Sequence, residues 1–248
     1  MGIVPAAEQT LRILSLLTRS KGALPAAQIA VQLELPRSTV YHLLSVMIEQ
    51  GFVSHYPEAR RYGLGPSSYE LGGGFTRQQP LARLGRPLVE TLVDRLGESA
   101  HLAVLSGNDV LYLVEERAPR RPSLVSDEGV RLPAHLTATG RAMLAYLPKP
   151  QLRALYPDPS AFPIRDGSDW NYRKLRAVLE KVSKHGFATE DGEVTPHLSS
   201  IGVPVLDRAK WPIAAVAITF SDSVAESEYK IWVSALQATA QELTRRLG

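Results

Sequence analysis

Apolar residues recur along this chain with two different periods, and the switches between them mark out the elements. From about Ala7 to Arg19, Leu11, Leu14 and Leu17 with a supporting Ile13 fall at helical spacing, and "SKG" at 20–22 stops the helix. A second helix is expected over Ala26 to Leu33, with Ile29, Ala30 and Leu33 on one face. Pro25 can sit at its first turn, where a missing N–H costs little. The third helix opens after "ELP": Val40, Leu43, Leu44 and Met47 can pack on the first two, and Ile48 extends that packing. Gly51 is expected as a left-handed cap. Phe52 and Val53 then begin a strand, and "HYPEARRYGLG" reads as strand, turn (Pro57 to Arg60) and strand. "GLGPSSYELGGG" lacks the lysine of a phosphate loop and reads as strand end and linker.

Three short helices followed by a hairpin form the pattern of a winged helix-turn-helix. Burial of the apolar back of the third helix leaves its polar start free to enter a major groove wide enough for a helix. Arg37, Ser38, Thr39, Tyr41 and His42 are therefore the candidate DNA contacts there. Helix-start amides and hydroxyls can hold a phosphate, while Arg37 could instead read guanine bidentately. The plainer alternative is that Ser38 caps the helix and Arg37 is solvated. Arg60 and Arg61, at or just after the hairpin turn, could reach phosphate or the minor groove, or could be an ordinary charged tip.

The remaining two thirds change character. "PLARLGRPLVETLVDRLG" places Leu81, Leu84, Leu88, Leu92 and Leu96 along one helix side, with Pro87 expected to kink or divide it. This segment suits a linker between domains, with a dimer contact as a further use. "SAHLAVLSGNDVLYLVEE" reads as a hairpin, "TATGRAMLAYL" as a helix starting near Thr137 to Thr139, and "YRKLRAVLEKVSKHG" as a helix closed by Gly186. Phe187 leads towards an acidic loop. "SSIGVPVLD" and "WPIAAVAITF" are strands joined by a "RAK" turn, and a long amphipathic helix ends the chain. The economical solution is α+β, an antiparallel sheet flanked by helices. The expected division is 1–75 for the winged domain, 76–97 for a linker helical region and 98–248 for the second domain.

Composition narrows the function classes. With 44% hydrophobic and 21% charged residues the chain is globular, and the absence of cysteine excludes disulfides and thiolate metal sites. No signal peptide or membrane-spanning run is read, so a cytoplasmic location is expected. Net charge is only +3, and residues 1–75 hold six basic against five acidic side chains, so bulk charge does not announce nucleic acid. The six histidines are scattered without metal-ligand spacing, and Ser200 lacks the strand-turn-helix elbow of a nucleophile. No catalytic residue, metal or cofactor is expected.

Three ordered stretches carry a resemblance: "ALPAAQIAVQLELPRSTVYHLLSVMIEQGFVSHYPEARRYGLG", "RLPAHLTATGRAMLAYLP" and "LEKVSKHGFATEDGEVTPHLSSIGVPVLD". Together they resemble the IclR family of bacterial transcriptional regulators over nearly the whole chain. The resemblance implies a DNA-binding winged domain joined by a helix to an effector-binding domain of GAF-like architecture. It also implies dimers or dimers of dimers on operator DNA and a small-molecule effector, frequently an organic acid, with repression the expected sign. The family's motif positions make Arg131, His135, Thr137, Ala138, Thr139, Gly140, Asp191, Ser199 and Ser200 the candidate effector contacts. Amides at the helix start could receive a carboxylate, with Arg131 as a bidentate partner. The chain departs from the family in "PAA" where a serine cap is usual, and in Ser200 where many relatives carry cysteine. A second reading is an interaction protein that docks a partner through its C-terminal domain while anchored to DNA.

Overall fold

The computed structural model describes residues 4–78, 80–119, 121, 124–162, 169–224 and 226–247. Its contacts divide the chain into two compact units, Met1–Gln78 and Gln79–Gly248.

In the first unit, α1 (Pro5–Arg19), α2 (Ala26–Leu33) and α3 (Arg37–Glu49) enclose an apolar core that includes Ile13, Leu17, Ile29, Val40, Leu44 and Met47. The buried stripe of α1 runs Ile13 to Leu17. Leu11, expected to be inside, lies about 200° of helical rotation from Ile13 and is 64% exposed. Ile48 stands about 100° of helical rotation from Met47, at the edge of the buried stripe, and is 38% exposed. Gly51 has the expected positive φ, +77°. β1 (Val53–Tyr56) and β2 (Arg61–Leu64) pair antiparallel, and Tyr62 exchanges two backbone hydrogen bonds with Leu24 (2.9 and 2.8 Å), which ties the hairpin to the helices. The stretch expected as strand end and linker is instead a helix, α4 (Pro66–Gln78). Pro66 supplies a preset φ at its first position, and the Ser68 hydroxyl donates to the Phe52 carbonyl at 3.0 Å. Propensity alone would not wind its three glycines.

In the second unit, α5 (Pro80–Leu96) precedes β3 (Ser99–Ser106), β4 (Asp109–Glu116), β5 (Arg131–Pro133), α6 (Ala138–Leu144) and α7 (Lys149–Leu155). Then follow α8 (Tyr172–His185), β6 (Ala188–Asp191), β7 (Leu198–Leu206), β8 (Pro212–Ser221) and α9 (Tyr229–Leu247). The strands form one antiparallel sheet in the order β5-β4-β3-β8-β7-β6. Residues expected to lie in an acidic loop after Phe187 pair as the edge strand β6.

Alternation along each strand gives the sheet two working faces. Leu102, Val114, Ile201, Val203, Val216 and Ile218 point to α5 and α9. Ala103, Tyr112 and Ala215 point to α6, α7 and α8. Expected to kink or divide at Pro87, α5 runs as one helix. Its buried face is Leu81, Ala82, Gly85, Val89, Leu92 and Val93, and Leu84, Leu88 and Leu96 of the leucine row pack partly buried against the same core, so this segment is built into the second unit.

Candidate DNA-recognition helix and ligand cleft

The start of α3 is structurally unencumbered. Its N-cap is Pro36 and no side chain caps it, so Ser38 is not spent as a cap. Among the described residues no hydrogen bond or ion pair engages the side chains of Arg37, Ser38, Thr39 or His42. Arg37, Ser38, Tyr41 and His42 are exposed and Thr39 is half-buried. Their helix is held from behind by Val40, Leu44 and Met47. The first three amides precede the first intrahelical bond, Val40 N–H to Pro36 O at 3.1 Å, and among the described residues have no backbone acceptor. The site therefore offers amides, hydroxyls, a guanidinium and an imidazole on one rigid helix end.

The two hairpin arginines differ. Arg60 occupies the turn with φ +49° and is exposed. Arg61 begins β2 and donates from Nη1 to the Ala23 carbonyl at 2.9 Å, which leaves its other N–H groups to reach outwards. His55 and Tyr62 stack on this hairpin with ring centroids 4.6 Å apart.

In the second unit a row of polar side chains crosses the face of the sheet that α6 covers. Register pairs Glu115 with His101, Ser200 with Thr219, and Glu190 with Ser200. His101 Nε2 meets Thr219 Oγ1 at 2.8 Å, Thr219 Oγ1 meets Ser200 Oγ at 2.9 Å, and Ser200 Oγ donates to Glu190 Oε2 at 3.1 Å. Glu190 Oε1 accepts the Val194 N–H at 2.9 Å. This row lines a narrow cleft with Tyr112, the start of α6 and the loop residues Leu124 to Ser126. Its free volume is about 20 Å³, room for about one water molecule. Burial drives the His101 pKa down to about 4, so the ring is neutral at physiological pH. Burial raises the Glu190 carboxyl above the ordinary range, against the lowering by the Val194 and Ser200 hydrogen bonds.

The start of α6 can lie on the sheet because two glycines admit it. A Cβ at Gly140 would strike the Ala134 backbone, and one at Gly202 would come within 2.8 Å of Ala138 C and O. Thr137 caps this helix, its Oγ1 accepting the Gly140 N–H at 3.0 Å. The amide expected to receive a ligand carboxylate is therefore occupied by the chain's own hydroxyl.

Of the expected effector contacts, Thr137, Ala138, Thr139 and Ser200 line the cleft. The other five do not. Gly140 lies just behind, as a packing position. Ser199, neighbour of Ser200, points the other way and donates to Asp191 Oδ1 at 2.7 Å. Arg131 is exposed on the edge strand β5. His135 is fully buried among Tyr156, Phe162 and Trp170, edge-on to each with centroids 5.2–6.0 Å apart. Burial, then the nearby Arg141 charge, lowers its pKa to about 4.

Sequence reasoning missed His101, Tyr112, Glu190 and Thr219 in the cleft, and Arg141 beside it. Arg141 is buried, with one bond from each of its three nitrogens: Nε on His135 O (2.8 Å), Nη1 on Thr189 O (2.7 Å) and Nη2 on Glu193 Oε1 (2.6 Å). The missed signal was a polar residue at an inward phase of an apolar strand, as in "SAHLA" and "AVAITF". Among the described residues no group of three or more His, Asp or Glu could hold a metal ion, and no helix is long and apolar enough to cross a membrane.

A three-helix core with an exposed recognition-helix start and a hairpin, in a unit distinct from the sheet unit, defines a winged-helix regulator. The model of the IclR helix-turn-helix domain matches residues 6–57, and that of the bacterial transcriptional regulator IclR C-terminal domain matches residues 74–245. The chain belongs to the IclR family of bacterial transcriptional regulators. It is 31% identical over 218 residues to the probable transcriptional regulator SauR of Cupriavidus necator, covering 86% of this chain and 84% of that protein. It is 29% identical over 242 residues to the Pca regulon regulatory protein of Pseudomonas putida, covering 96% and 82%. An IclR homologue from Microbacterium hydrocarbonoxydans, solved in complex with 4-hydroxybenzoate, shares the fold with a TM-score of 0.82 at 23% identity, covering 97% of this chain and 98% of that one.

Proposed function

We propose that this regulator is a repressor whose first unit grips operator DNA and whose second unit releases that grip when a small molecule enters the cleft. The observation that carries the reading is the free polar start of α3, where amides and side chains await an acceptor outside the chain. Arg37, Ser38, Thr39, Tyr41 and His42 meet the major groove, with Arg60 and Arg61 on the flanking backbone or minor groove. Thr137, Ala138, Thr139 and Ser200, with the polar row beneath them, receive the effector. Relatives support the sign: the family includes the transcriptional repressor IclR of Escherichia coli and the acetate operon repressor of Salmonella typhimurium. The 4-hydroxybenzoate complex of the Microbacterium relative supports small-molecule binding. The protein acts in the cytoplasm as a homodimer or dimer of dimers, so that two winged units address a roughly palindromic operator. The role is binding, without a catalytic step.

The test is fluorescence anisotropy with a duplex spanning the intergenic region upstream of the chain's own gene, against random duplex at equal salt. Arg37→Ala with Thr39→Ala is expected to abolish the preference for the upstream duplex and leave weak general binding. Unchanged preference in the double variant would remove α3 from the interface.

A further inference from the structure

The direction of the hydrogens along the polar row defines what the cleft lacks. Ser200 spends its only hydroxyl hydrogen on Glu190 Oε2. Thr219 must then donate to Ser200 across their 2.9 Å contact. His101, in turn, must donate to Thr219 from Nε2, which fixes the tautomer and leaves Nδ1 as a bare lone pair. That Nδ1 faces Glu115 Oε2 at 3.9 Å, and both atoms are buried without a hydrogen-bond partner. Every hydrogen in the row thus points toward Glu190, and both ends of the row are acceptors.

Among the described residues, no positive charge lines the cleft to offset this: there is no lysine or arginine. The nearby guanidinium, Arg141, makes its three bonds to His135 O, Thr189 O and Glu193, and Arg117 is held on Glu115 Oε1 at 2.7 Å. A carboxylate entering here would meet a buried carboxylate across a low-dielectric gap, with no cation to compensate. A hydroxyl or ammonium group would instead supply the missing hydrogens.

We propose that the cleft, whose free volume of about 20 Å³ admits one water-sized group, selects from a small molecule a hydroxyl or ammonium group and disfavours its carboxylate counterpart. This rests on the cleft being the effector site. The organic-acid class implied by family resemblance is set by other members. Here the class follows from Glu190, Ser200, Thr219 and His101.

The experiment is a thermal-shift screen of the full chain against matched pairs that differ only in the reporting group. Examples are glycerol with glycerate, 4-hydroxybenzyl alcohol with 4-hydroxybenzoate, benzylamine with benzoate, and putrescine with succinate. The expected result is stabilisation by about 2 °C or more from donor members alone. Calorimetry should then show affinity reduced roughly tenfold or more in Glu190→Gln, whose amide keeps the shape and loses the charge. Ser200→Ala serves as a second cleft variant, and the apo melting temperature of each reports folding. Stabilisation by carboxylate members that disappears in Ser200→Ala overturns the ligand class while keeping the cleft as the site. Stabilisation that survives both variants overturns the site itself. A screen in which neither arm stabilises the protein overturns both.

Discussion

Thr137→Val tests whether the start of α6 is built as described, because it removes one oxygen and little else. Thr137 is 2% exposed, and its Oγ1 accepts the Gly140 N–H at 3.0 Å. Valine nearly matches the threonine in volume and branching, so no cavity opens. The loss has two parts: a cap, worth about 1 kcal/mol, and a buried N–H left without a partner, worth roughly 1–3 kcal/mol. These parts overlap, since the cap bond is the one that satisfies the N–H, so the expected cost is about 1–3 kcal/mol in total. Trp170, Trp211 and Trp232 all fall in the second unit, so tryptophan fluorescence during urea unfolding reports that unit without interference from the first. Thr137→Ser keeps the oxygen and should recover most of the stability. A Thr137→Val midpoint indistinguishable from wild type would refute the cap, and with it the view that this amide is closed to ligands.

Three further outcomes follow from particular residues. Arg60→Ala with Arg61→Ala should weaken binding to all duplexes alike and lower the salt slope by roughly one to two counterions, read by anisotropy across a salt series. A loss confined to one sequence would contradict backbone contact. Glu34 closes α2 with φ +56° and ψ +41°, with the Leu35 N–H bonded back to the Ala30 carbonyl at 2.9 Å. Glu34→Gly should therefore stabilise the first unit by roughly 1 kcal/mol, monitored by far-UV circular dichroism. Burial holds His101 and His135 at about 4 in the folded chain, against about 6.5 unfolded. Their contribution is complete above the unfolded value and is lost as pH falls from about 6.5 toward 4, by at most roughly 3 kcal/mol apiece. A His101→Gln variant should show a shallower decline than wild type, and an equal slope would mean that His101 binds protons alike in the folded and unfolded chain, against the burial argument.

The first unit was largely legible in the sequence because its helices are amphipathic and its punctuation is local. Pro25, Gly51 and the "HYPEARRYGLG" stretch each act within a few residues. α4 was not legible: "ELGGG" argues against helix by propensity, and contacts such as Ser68 to Phe52 decide otherwise. The edge strand β6 is short and acquires strand character only from β7 beside it. The cleft shows the same divide. The family motif located Thr137, Thr139 and Ser200, but His101 and Thr219 lie 118 positions apart and meet only through the pairing of β3 with β8. His135 and Arg131, both chemically apt, were separated from the cleft by an aromatic cluster and by an edge strand. Spacing in one sequence carries no information about either.

With the cleft as the proposed effector site, the close seating of α6 on β7 also shapes how this regulator can change its ligand. At Gly202 even one methyl group would collide with the Ala138 backbone, and at Gly140 with that of Ala134, so the packing behind the cleft tolerates almost no variation. Leu124 and Val125, by contrast, line the same cleft from a segment outside any helix or strand, and Val125 is 48% exposed. A mutant library aimed at new inducers should leave the glycines untouched and diversify that loop. New specificities would then be acquired on a fixed chassis, without relearning the fold.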